Sequence, residues 1–112
     1  MDLVSEQIGA LNVITVNEAR IDAAVAIQFK DAMRRLTANG TTHVLLNLSQ
    51  VLFVDSSGLG AIVGAMKQMG SERRLDLVGL TADVDNVFRM TRMDTIFDIH
   101  DTMETAIGRA AG

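Results

Sequence analysis

Phe53-Val54-Asp55-Ser56-Ser57-Gly58-Leu59-Gly60-Ala61-Ile62-Val63-Gly64-Ala65-Met66 is the stretch on which the fold turns. It opens on a short apolar run, breaks at an acid and two hydroxyls, and continues with helical periodicity. Leu59, Ile62, Val63, Met66 and Met69 fall at i, i+3, i+4, i+7 and i+10, the core-facing stripe of a helix from Ser56 to Met69 that ends at Gly70. Ser56, Ser57, Gly60, Ala61 and Gly64 form a second stripe of very small residues. A glycine inside a helix costs about 1 kcal/mol relative to alanine. Three of them near the start of one helix imply a close approach to its backbone, by an element of the same fold or by a partner. Either serine is placed to cap the helix, and a helix N-terminus favours a phosphate set against it. Asp55 orients a serine or simply ends the strand.

Reading outward toward the N-terminus, Val44 to Leu48 is short and nearly all apolar, as in a strand buried on both faces. Val51 to Val54 resumes the apolar run after Ser49-Gln50. Asp22 stands before an alanine-rich stretch, Ala23 to Ala38, in which Val25, Phe29, Met33 and Leu36 recur at helical spacing. Asp22 is expected to be its N-cap, and Asn39-Gly40 its stop signal. The first 21 residues read as two strands, Leu11 to Val16 being the second, joined at Gly9-Ala10. Toward the C-terminus, Leu75 to Leu80 reads as a strand, Ala82 to Arg92 as a helix, Ile96 to Ile99 as a short strand, and Thr102 to Ala111 as a helix with Thr102 as a partial N-cap. The order β-β-α-β-α-β-α-β-α predicts an α/β fold. A central mixed, mostly parallel sheet of about five strands should carry about four helices.

Composition narrows the function. The chain has 112 residues, enough for one domain, 1–112. It contains no Cys and two His, which removes disulfides and argues against a metal site. Ten basic against fourteen acidic residues give −4, so no global field attracts nucleic acid or an anionic membrane. No apolar run is long enough to span a bilayer, and Met1 to Glu6 lacks the pattern of a signal peptide, so the expected location is cytoplasmic. His43 and His100, at strand ends, are expected at the surface. Gly58-x-Gly60-x-x-x-Gly64 has the wrong spacing for a dinucleotide turn, and no Gly-x-Ser-x-Gly elbow is present. Met66, Met69, Met90 and Met93 are expected mostly in the core. Neither a cofactor nor an enzymatic activity is expected.

Asp55-Ser56-Ser57-Gly58-Leu59-Gly60 resembles the signature of the STAS domain, the anti-sigma factor antagonist family of bacterial partner-switching systems. The likeness runs along nearly the whole chain, through the element order, Ile21-Asp22, Val44 to Leu48, and Met90-Thr91. It implies a STAS fold and a switch. In this family the unphosphorylated domain binds an anti-sigma factor that is also a serine kinase of the histidine-kinase-like ATPase fold, and so frees the sigma factor. Phosphorylation of the serine after the motif acid breaks the complex, and a PP2C-type phosphatase resets it. Carried over by position, the acceptor is Ser56, with Ser57 less favoured. The implied contact surface is Asp22, Asp55, Ser56, Ser57, Gly58, Gly60, Ala61 and Gly64. The implied state is a monomer or weak dimer. The alternative is a STAS subunit of another complex, stressosome-like or transport-related, or one controlling secretion, motility or biofilm formation. Two departures stand out. Ala19-Arg20-Ile21-Asp22 replaces a segment that commonly begins with Gly, and Thr91-Arg92-Met93 replaces Thr-Gly-Leu, so Arg92 gives up an easy left-handed glycine.

Overall fold

The computed structural model describes residues 1–111. Leu3–Ile8 (β1) and Leu11–Val16 (β2) fold back on each other in register from Leu3 opposite Val16 to Ile8 opposite Leu11. Gly9 makes this turn possible at φ 60°, a conformation glycine adopts without a steric penalty. His43–Asn47 (β4) then pairs parallel with β2, Arg74–Val78 (β6) parallel with β4, and Ile99–His100 (β7) parallel with β6. The sheet order is β1-β2-β4-β6-β7. Arg20–Ile21 (β3) and Phe53–Val54 (β5) make a separate two-residue parallel pair beside it. The helices are Ala26–Leu36 (α1), Ser56–Met69 (α2), Ala82–Met90 (α3) and Met103–Ala111 (α4). This is the α/β arrangement expected, with five sheet strands and four helices.

The two faces of the sheet are covered unequally. Ile14, Val16, Val44, Leu46, Leu75 and Leu77 meet side chains of α1, α2 and α3, among them Phe29, Met33, Ile62 and Phe88, in the larger core. Leu11, Val13, Leu45 and Val78 point the other way and are covered by Ala106 of α4, with Met103 and Ile107 beside it. β4 is thus buried on both faces, as its unbroken apolar run implies.

Four expectations are corrected. Helix α1 starts at Ala26, not Ala23. The Asp22 carboxylate accepts from the Ala24 N–H at 3.1 Å and its carbonyl from the Val25 N–H at 3.1 Å, so residues 22–25 form a turn and Asp22 is not the N-cap. The last strand is Ile99–His100, not Ile96 to Ile99. Phe97 is drawn inward against Phe88 (ring centroids 6.1 Å apart, edge to face), and Met93–Thr95 makes a 3-10 turn before it. The methionines lie mostly in the core, as expected: Met69 is buried and Met66 and Met93 pack against it, while Met90 is 83% exposed. His100 is not at the surface but buried, and His43 is half-buried. Thr102 does cap α4, its hydroxyl accepting from the Thr105 N–H at 3.2 Å. Arg92 sits at φ 63°, the left-handed position its sequence departure foreshadows.

Candidate functional site

β5 delivers the chain to the carboxyl end of the sheet, where open α/β folds present ligands and partners. Asp55 stands there in extended conformation as the N-cap of α2. One oxygen accepts from the Gly58 N–H at 2.8 Å. The other accepts from the Ala23 N–H at 3.2 Å. A single carboxylate therefore fixes α2 to the turn between β3 and α1. The cap is Asp55 and neither serine, which leaves Ser56 and Ser57 as the first two helical residues, both exposed. Their hydroxyls stand at the positive end of the helix dipole, which tolerates an added anion.

The stripe of small residues divides by role. Gly58 is buried, and a Cβ built on it would lie 1.9 Å from the carbonyl oxygen of Ile21. Ala61 is buried in the larger core. Both serve the internal approach of α2 to β3 and the sheet, and neither has an exposed side chain. Gly64 lets the Lys30 side chain of α1 cross it, with Lys30 Cε 3.3 Å from a Cβ built there. Gly60 is exposed and has open space around it. Asp22 is half-buried, and its carboxylate takes the Arg20 Nε–H at 3.2 Å. The structure thus brings Asp22, Asp55, Ser56, Ser57 and Gly60 to one end of the α1–α2 layer.

Sequence reading missed the neighbours of this end. The Arg20 guanidinium lies 4.2 Å from the centre of the Phe53 ring. Phe53 is 40% exposed and Leu52 62%. Both residues' backbone N–H groups bond to the Ala19 carbonyl, at 3.2 and 2.8 Å, so the exposed apolar pair is held in place. The signal was available: Leu52-Phe53 follows a turn, and in a two-residue strand only Val54 faces in.

A second polar cluster lies on the α4 side of the sheet. Asp76 alternates with buried Leu75 and Leu77 and is itself buried. Burial pushes its carboxyl up, but hydrogen bonds from Arg74, His100 and His43, with the Arg74 charge, outweigh that and hold it below the ordinary aspartate value. Among the described residues no group of three or more His, Cys, Asp or Glu is arranged to hold a metal ion. Among the described residues no helix is long and apolar enough to cross a membrane.

A five-stranded mixed sheet with this order, and an Asp-Ser-Ser-Gly turn at the start of α2, define a STAS domain. The sequence matches that family over residues 3–106, and the chain belongs to it. It is 22% identical over 85 residues to the anti-sigma-B factor antagonist of Staphylococcus aureus, covering 75% of this chain and 79% of that one. A crystal structure of an anti-sigma factor antagonist from Mycobacterium paratuberculosis superposes with a TM-score of 0.88 at 21% identity, covering 99% of this chain and 94% of that one. The Bacillus cell-fate determinant SpoIIAA in its phosphorylated form superposes with a TM-score of 0.70 at 22% identity, covering 97% and 99%. The chain is a distant homologue of anti-sigma factor antagonists.

Proposed function

We propose that this chain is a cytoplasmic anti-sigma factor antagonist that works by partner switching. Unphosphorylated, it binds an anti-sigma factor that is a serine kinase of the histidine-kinase-like ATPase fold, and the sigma factor is released. That kinase phosphorylates Ser56, the complex separates, and a PP2C-type phosphatase restores the binding form. The observation that carries this reading is the exposed Ser56-Ser57 pair on the first turn of α2, with both oxygens of Asp55 committed to backbone beneath it.

The switch needs no change of fold. A phosphate on Ser56 adds about −1.5 to −2 charge at pH 7. The helix dipole offsets part of that locally. A partner surface that covers the site must desolvate the dianion next to Asp55 and Asp22. A penalty of about 4 kcal/mol weakens binding roughly a thousandfold. The test is the affinity of wild type, Ser56→Ala and Ser56→Asp for an anti-sigma factor of the histidine-kinase-like ATPase fold from the same organism. Tight binding by Ser56→Ala with loss in Ser56→Asp is expected. Equal affinities for the two variants refute the electrostatic switch.

A further inference from the structure

On the side of the sheet away from Ser56 lies chemistry that partner switching does not use. Asp76 is 2% exposed. Its Oδ2 lies 3.0 Å from His100 Nε2 and 3.1 Å from His43 Nε2, and its Oδ1 accepts from Arg74 Nε at 2.8 Å. Arg74 also pairs with Asp98. Taking a carboxylate out of water costs several kcal/mol before its partners offset it. His100 Nδ1 is buried with no hydrogen-bond partner. Aliphatic side chains fill the rest of this small core, so packing alone does not call for the cluster.

His43 leads outward from it, and forms one wall of a cleft of about 170 Å³ between the β1–β2 turn and the last turns of α4. Ile8, Ala10, Leu11, Ile107 and Ala110 form the other walls, all aliphatic. With Nε2 engaged by Asp76, Nδ1 is the one polar side-chain atom that any of these residues has to offer. When Nε2 carries the proton, Nδ1 is an acceptor. An apolar recess with one fixed polar group is the usual form of a small-molecule site. An apolar cavity of roughly 150 Å³ takes up benzene, so this cleft admits one single or fused ring. The buried Asp76 carboxylate and the net charge of −4 disfavour an anion. We propose that the cleft binds a small neutral aromatic molecule carrying one N–H or O–H donor, of the size of indole or phenol, which hydrogen-bonds to His43 Nδ1.

The proposal stands independently of the Ser56 reading. It is tested with indole titrated into the full chain and followed by amide and imidazole nitrogen NMR. Saturable shifts are expected at residues 8–11, 43 and 103–110, with a half-point on the order of 1 mM. Toluene, which lacks the donor, should bind about tenfold more weakly, the worth of one hydrogen bond. Ala10→Phe, at an exposed turn, should fill the cleft and weaken indole about tenfold or more without lowering the melting midpoint. Absence of saturable shifts up to roughly 10 mM indole overturns the proposal. So do shifts confined to the Ser56 face, or an Ala10→Phe affinity equal to wild type. Equal binding of toluene and indole overturns the assigned role of His43.

Discussion

Replacing Gly58 with Ala tests how α2 is seated. The new Cβ would lie 1.9 Å from the Ile21 carbonyl oxygen. A close C···O contact is about 3.3 Å, so β3 and the start of α2 must part by about 1.4 Å. The obstacle is backbone paired in β3–β5, which cannot swing aside as a side chain would. The same movement stretches the Ala23–Asp55 hydrogen bond. Overpacking of this kind costs typically 1–3 kcal/mol, and the rigid partner places it near 3. The gain in helix propensity returns at most about 1 kcal/mol. The net loss is about 2 kcal/mol, or a melting midpoint roughly 8 °C lower for a chain of this length. Gly60→Ala is the matched control on the same helix. It meets open space, and should be neutral or raise the midpoint by up to about 4 °C. Circular dichroism melts of both variants decide the matter. A Gly58→Ala protein melting within about 2 °C of wild type refutes the seating described.

Two further outcomes follow from single residues. Asp76 has its carboxyl held below the ordinary value in the folded state. Its ionisation therefore supports stability above the unfolded-state value, near 3.9, and that support is lost as pH falls through the lower folded value. Urea unfolding should show Asp76→Asn less stable than wild type at pH 7, by on the order of 1–3 kcal/mol, with the gap narrowing below about pH 4. A gap independent of pH contradicts this. Arg92 occupies a left-handed conformation at φ 63°. Arg92→Gly relieves a strain of about 1–2 kcal/mol and gives back part of it in unfolded-chain entropy, so a net gain of about 0.5–1 kcal/mol is expected in the same assay.

The order of strands and helices was legible because hydrophobic period and turn residues agree along most of the chain. The face of α2 was not. The large residues Leu59, Val63 and Met66 look like the core stripe, yet they flank it, half-buried. The deepest line runs through Gly58, Ala61, Ile62, Ala65 and Met69. A helix pressed against backbone at its first turn needs small residues where a hydrophobicity count finds least. Sequence alone cannot tell a glycine that admits a neighbour, Gly58, from one left open, Gly60. Asp22 was misread because a carboxylate before an alanine-rich run suits a cap and a turn equally well. The Asp55-Ser56-Ser57 junction was legible because the motif is local. Arg20 over Phe53 and the meeting of His43, Asp76 and His100 were not, since each joins strands far apart in the chain.

The hairpin that begins the chain has a consequence for how this protein meets strands of other chains. β1 and β7 are the two outer strands of the sheet. β7 has two residues, too few to template a new strand. β1 has six, largely exposed, and its outer row of peptide groups faces no other strand among the described residues. Any extension of the sheet, by a copy of itself or by a foreign segment, therefore has one long edge to grow from. Glu6 is exposed in the middle of that edge, where pairing with a copy in register would set carboxylate against carboxylate.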